Sequence, residues 1–115
     1  MTSIKVLHNP RCSKSRCALD FLKSRDIAFE VIEYLDNPLS KEEMNTVLKK
    51  LHLRAEQWVR KNEEEYKTHF KGKTLTDDEW IDAMLKFPKL IERPVVIIGE
   101  KAVIARPDER ILEIL

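Results

Sequence analysis

The chain has 115 residues, 43% of them apolar and 36% charged, with only two Gly and five Pro. That length fits one domain and leaves no room for a second full core, and the composition is that of a folded globular protein rather than a disordered chain. With 21 Lys plus Arg against 20 Asp plus Glu, the net charge is +1, which gives no overall pull toward nucleic acid or anionic membrane. No apolar run approaches the ~20 residues that span a bilayer. Met1 to Val6 lacks the apolar stretch and cleavage site of a secretion signal. The expected location is therefore the cytoplasm, and any anion must be held by a local cluster of cations.

Ile4 to His8 is short, apolar and closed by Asn9-Pro10, which predicts a buried strand ended by a turn. From Ser13 to Arg25 the apolar residues Ala18, Leu19 and Leu22 recur at helical spacing, with Phe21 adjacent. Ala28 to Tyr34 reads as a second strand, so the first 35 residues or so form a βαβ unit with parallel strands and a right-handed crossover. A polar helical middle follows. Ser40-Lys41-Glu42-Glu43 and Thr76-Asp77-Asp78-Glu79 are capping boxes ahead of apolar helical runs. Ala55 to Arg60 and Glu63 to Phe70 predict shorter helices between them, and Pro88 ends the block. Val95 to Ile98 and Ala102 to Ala105 flank Gly99-Glu100-Lys101 as a hairpin. Pro107-Asp108 opens a last helix, Glu109 to Leu115, with Ile111, Leu112 and Leu115 as its apolar face.

The fold class predicted is α/β: a thioredoxin-like four-stranded mixed sheet flanked by helices, with a helical insertion between the second and third strands. The chain reads as one domain, residues 1–115, with its core at about 1–38 and 88–115 and the insertion at about 39–87.

Cys12 lies where the first strand turns into the first helix. Unpaired N–H groups and the positive end of the helix dipole gather there and favour a thiolate. Cysteines so placed have pKa values of roughly 3.5–7.5. Arg11, Lys14 and Arg16 add positive charge, and the same N–H groups offer a cradle for an oxyanion. The polar sequence Asn9 to Arg16 argues against a buried structural cysteine. The pattern is Cys12-x-x-Ser15, so the site has no partner sulfur with which to close a disulfide. The Ser15 hydroxyl is expected to donate to the thiolate. Cys17, the other cysteine, would stand roughly 7.5 Å further along the helix axis, beyond comfortable disulfide reach, and about 140° around it. An external thiol must then regenerate Cys12, and glutathione with glutaredoxin is the cytosolic supply. Two Cys and the scattered His8, His52 and His69 show no metal-ligand spacing, so no metal or bound cofactor is expected.

The run His8-Asn9-Pro10-Arg11-Cys12-Ser13-Lys14-Ser15-Arg16, the segment around Arg60, Glu92-Arg93-Pro94 with the strand after it, and Arg106-Pro107 with the closing Leu112-Glu113-Ile114-Leu115 resemble the glutaredoxin-linked arsenate reductases, the ArsC family of the thioredoxin-like fold. The resemblance covers nearly the whole chain. It implies that Cys12 is the nucleophile and that Arg60, Arg93 and Arg106 bind the arsenate oxyanion. His8, Ser15 and Arg16 would support the cysteine. Glutathione would be the co-substrate and glutaredoxin the protein partner of a monomer. Two alternatives carry different signatures. An Spx-like regulator that binds RNA polymerase would use the same fold, but Ser15 removes the dithiol switch. A glutathione-linked thiol reductase of another substrate would share the Cys12 site.

Overall fold

The structure is a computed structural model that describes residues 3–115. Strand β1 (Ile4–Leu7) is followed by helix α1 (Ser13–Ser24) and strand β2 (Glu30–Ile32). Helices α2 (Lys41–Leu51), α3 (Ala55–Trp58), α4 (Glu64–His69) and α5 (Asp77–Lys86) come next, then a 3₁₀ turn at Pro88–Leu90. Strands β3 (Val95–Ile98) and β4 (Lys101–Ile104) and a 3₁₀ segment, Asp108–Glu113, close the chain. The residues fall into two compact units: one runs to Asn37 and resumes at Arg93–Leu115, the other is Pro38–Glu92.

The first unit holds the sheet, in the order β2-β1-β3-β4. β1 is parallel to β2, with Val6 opposite Val31, and antiparallel to β3, with Val6 opposite Val96. β3 and β4 form the expected hairpin. Its loop is the two residues Gly99-Glu100, and Gly99 sits at φ +59°, a conformation that glycine adopts without steric cost. This is the mixed thioredoxin-like sheet predicted from the βαβ unit and the hairpin. Its core is Val6, Ala18, Leu22, Val96, Val103, Ala105 and Ile111, all at most 5% exposed. Ala18 and Leu22 are four residues apart and so share one face of α1. Leu22 is fully buried, and Leu22→Ala is expected to destabilise the protein by about 2–5 kcal/mol. Chemical denaturation reads this as a lower midpoint at unchanged slope.

Two predicted elements of this unit differ from the structure. β2 is shorter than Ala28 to Tyr34 and lies at the sheet edge, where Val31 is 39% exposed. The closing segment is a 3₁₀ turn rather than an α-helix over Glu109 to Leu115. With three residues per turn, Ile111 and Ile114 share a face and pack on the core. Leu112 and Leu115, assigned to the apolar face from helical spacing, are more than half exposed.

The second unit is helical. Both capping boxes form: the Ser40 hydroxyl accepts the Glu43 N–H at 3.1 Å while Glu43 accepts the Ser40 N–H at 2.9 Å, and Thr76 and Glu79 do the same. These reciprocal bonds satisfy N–H groups the helices leave open. Its buried side chains include Met44, Leu48, Trp58, Trp80, Ile81 and Met84.

Candidate active site

Asn9 and Pro10 turn the chain out of β1. The Cys12 N–H donates to the Asn9 carbonyl at 3.0 Å, closing the turn. Cys12 is the N-cap of α1, in extended conformation at φ −95° and ψ 121°. Its carbonyl accepts the Arg16 N–H at 3.1 Å as the helix begins. The thiol is partly buried, and both it and the exposed Cys17 are free of disulfides.

Four donors converge on the sulfur. Burial pushes the Cys12 thiol up, but the Ser15 N–H, the guanidinium groups of Arg93 and Arg106 and the Lys14 N–H outweigh it. The thiol is thus held below its ordinary range, as the helix-terminus argument predicts. The Arg106 Nη2 donates to the sulfur at 3.2 Å, while its Nε donates to the Arg93 carbonyl at 2.7 Å. One planar fork is therefore fixed at both prongs, a geometry that lysine has no means to copy. Arg93 ends the loop into β3 and Arg106 follows β4, so the hairpin delivers both from one end of the sheet. Each precedes a cis proline, Pro94 and Pro107.

Ser15 acts differently from the expectation. Its side chain is fully buried and turned to the loop: the hydroxyl oxygen accepts the Asn9 N–H at 3.0 Å and lies 2.8 Å from His8 Nδ1. It is the Ser15 backbone N–H, not the hydroxyl, that serves the sulfur. A first-turn N–H points out of the helix N-terminus by construction, whereas the side chain follows the buried face. Arg16 is exposed. Its charge acts on His8, and the two arginines after the helical block take the place beside the sulfur that its neighbours in sequence were expected to fill. Charges in open solvent are screened; Arg93, only 8% exposed, is not.

Burial lowers the pKa of His8, and Arg16 and Lys23 lower it further against an opposing effect of Glu33. A neutral imidazole then shares a hydrogen bond with the Ser15 hydroxyl through Nδ1 at 2.8 Å. The folded state resists a proton that the unfolded chain takes up near pH ~6.5. Stability from this group is complete above that pH and is lost as pH falls through the depressed folded value. Unfolding free energies measured across this range in wild type and His8→Gln are expected to show the steeper acid loss in wild type. Parallel curves would contradict the assignment.

Arg60 belongs to the helical unit. It follows α3 instead of lying within it, because the helix ends at Trp58 and Val59 forms a β-bridge with Ile91. The Arg60 N–H donates to the Leu90 carbonyl at 2.7 Å, and its guanidinium is 3.5 Å from the carboxylates of both Glu63 and Glu92. Sequence reasoning missed Asn9, whose Asn-Pro step it took only as a strand stop. Among the described residues no group of three or more His, Cys, Asp or Glu could hold a metal ion, and no helix is long and apolar enough to cross a membrane.

The ArsC family model matches residues 7–114, from the end of β1 to the closing 3₁₀ segment and thus across the whole site. The chain belongs to the ArsC family. It is 41% identical over 117 residues to an arsenate reductase of Neisseria meningitidis, covering all of both chains. It is 40% identical over 114 residues to the uncharacterized protein YfgD of Escherichia coli, covering 97% of this chain and 96% of that one. The solved structure of an arsenate reductase from Vibrio cholerae superimposes with a TM-score of 0.94 at 42% identity, over 99% of this chain and 98% of that one. The site of this ArsC protein thus sits on a fold it shares with that structure, and Cys12, Arg93 and Arg106 lie within the matched residues.

Proposed function

We propose that this ArsC protein is an arsenate reductase that uses Cys12 as nucleophile and takes its electrons from glutathione and glutaredoxin. The observation that carries the reading is the Cys12 sulfur, 3.2 Å from the Arg106 guanidinium and with its pKa lowered, in a Cys-x-x-Ser motif that has no resolving thiol. Relatives named arsenate reductase over the whole length support it. A thiolate beside guanidinium groups and helix N–H groups fits a tetrahedral oxyanion and an electrophilic arsenic centre.

The Cys12 thiolate attacks arsenic, an S–As bond forms, and an As–O bond breaks with its oxygen leaving as water. Glutathione then bonds to the same arsenic as a second As–O bond breaks and its oxygen leaves as water; after reduction, water cleaves the Cys12–As bond, releasing arsenite and the free Cys12 thiol. Arsenic passes from the pentavalent to the trivalent state, taking two electrons from thiol sulfur that ends as disulfide. The net balance is arsenate plus two glutathione thiols giving arsenite, water and glutathione disulfide, with glutaredoxin clearing the mixed disulfide. Arg93 and Arg106 hold the anion and the leaving oxygen. The protein acts as a cytoplasmic monomer without a bound cofactor.

The test is arsenate-dependent NADPH oxidation coupled through glutathione reductase. Turnover that needs both glutathione and glutaredoxin, and that survives Cys17→Ser, is the expected result. Turnover supported by thioredoxin alone, or lost with Cys17, would replace the proposed electron route. No arsenite from any donor would overturn the activity itself.

A further inference from the structure

Asn9 has a fractional exposure of only 6% and engages the loop through three groups. Its backbone N–H donates to the Ser15 hydroxyl at 3.0 Å. Its carbonyl accepts the Cys12 N–H at 3.0 Å. Its side-chain Oδ1 accepts the Arg11 N–H at 3.0 Å. The last two bonds close nested rings. Carbonyl to Cys12 N–H is a β-turn with Asn at the first position and Pro at the second, a favoured placement for both residues. Oδ1 to Arg11 N–H is an Asx-turn inside it. Pro10 fixes its own φ but not its ψ. The Asx ring spans that free dihedral and the ψ of Asn9, so the side chain removes the freedom that proline leaves.

We propose that Asn9 is a positioning residue for the nucleophile: its carboxamide locks the turn that sets Cys12 at the N-cap, with the sulfur facing the Ser15 and Lys14 N–H groups. The hydrogen bonds of Asn9 go to the loop and not to the sulfur. It acts by holding the peptide on the sulfur's N-terminal side while its N–H, bonded to Ser15, ties that peptide to the first helical turn. Without the carboxamide the Arg11 N–H turns to water, the Asn9 and Pro10 ψ angles widen, and the sulfur samples positions off the two donors.

The test reads the pH dependence of Cys12 alkylation by iodoacetamide in a Cys17→Ser background, so that one thiol reports. Asn9→Ala is expected to move the Cys12 profile upward by about one unit, a roughly tenfold loss of thiolate at pH below the wild-type midpoint, with an unchanged circular dichroism spectrum. Asn9→Ser is expected to recover part of the shift, because a hydroxyl closes the same turn more weakly. Where Asn9→Ala fails to fold, Asn9→Gln serves in its place, since one added methylene moves the same amide out of register, and the same upward shift is expected. A folded Asn9→Ala or Asn9→Gln protein with the wild-type profile overturns the proposal, as does Asn9→Ser that shifts as far as Asn9→Ala. The alkylation arm needs no arsenate. A kcat that falls at little change in the arsenate KM extends the result to turnover and rests on the reading as an arsenate reductase. Failure of that reading would leave the alkylation result standing.

Discussion

Cys12→Ser is expected to abolish arsenite formation while leaving the fold intact. Cys12 is partly exposed and caps a helix, so the substitution removes no core packing; serine is moreover a favoured N-cap residue, so α1 keeps or improves its start. What is lost is the nucleophile. The donors around the sulfur lower the thiol pKa and so favour a thiolate, whereas a serine hydroxyl there stays protonated. The loss in kcat/KM should be on the order of 10³-fold or more. Coupled NADPH oxidation measures the rate, and thermal unfolding checks the fold. Measurable turnover in the serine variant would remove Cys12 from the chemistry.

Arg106→Ala has the second-largest expected effect. The guanidinium is bonded at once to the Cys12 sulfur and to the Arg93 carbonyl, so alanine removes a donor from the thiolate and frees the loop that carries Arg93. The Cys12 pKa should rise, because one of the groups that lower it is gone. A donor aimed at developing charge is worth about 10²–10³ in rate when deleted, and that is the expected loss in kcat/KM. Arg106→Lys should recover only part of it. An ammonium keeps the charge but has no planar pair of N–H groups to span sulfur and carbonyl together. The readouts are the alkylation profile of Cys12 and the arsenate kinetics of both variants. A lysine variant equal to wild type would show that charge alone suffices.

Much of this arrangement is legible along the chain because the signals are local. Ala18 and Leu22 fix the buried face of α1 by spacing, and Ser40 with Glu43 marks a helix start in four letters. Cys12 is legible for the same reason: a polar strand-to-helix turn with a cysteine on it is a short-range pattern. Arg93 and Arg106 are not. They stand more than eighty residues from Cys12, and nothing in their spacing separates them from Arg25, Arg54 or Arg110. Only the pairing of β1 with β3 puts them beside the sulfur, and only the family resemblance singles them out. Ser15 shows a subtler limit. The motif locates the residue but does not say whether side chain or backbone meets the thiolate; that depends on which way the first helical turn faces the core. The closing segment went wrong through its period, since the choice between 3₁₀ and α geometry decides whether Leu112 or Ile114 lies inward.

The wide sequence gap between the cysteine and its two guanidinium partners has a consequence for biosynthesis. A ribosome exposes Cys12 long before it makes β3 and β4, and until that hairpin pairs with β1 the sulfur lacks the arginines that help ionise it. The nascent chain therefore carries a far more ordinary thiol through the period when it is least protected. Chemical aggressiveness arrives with the last quarter of the polypeptide, so the protein arms itself only by finishing its fold.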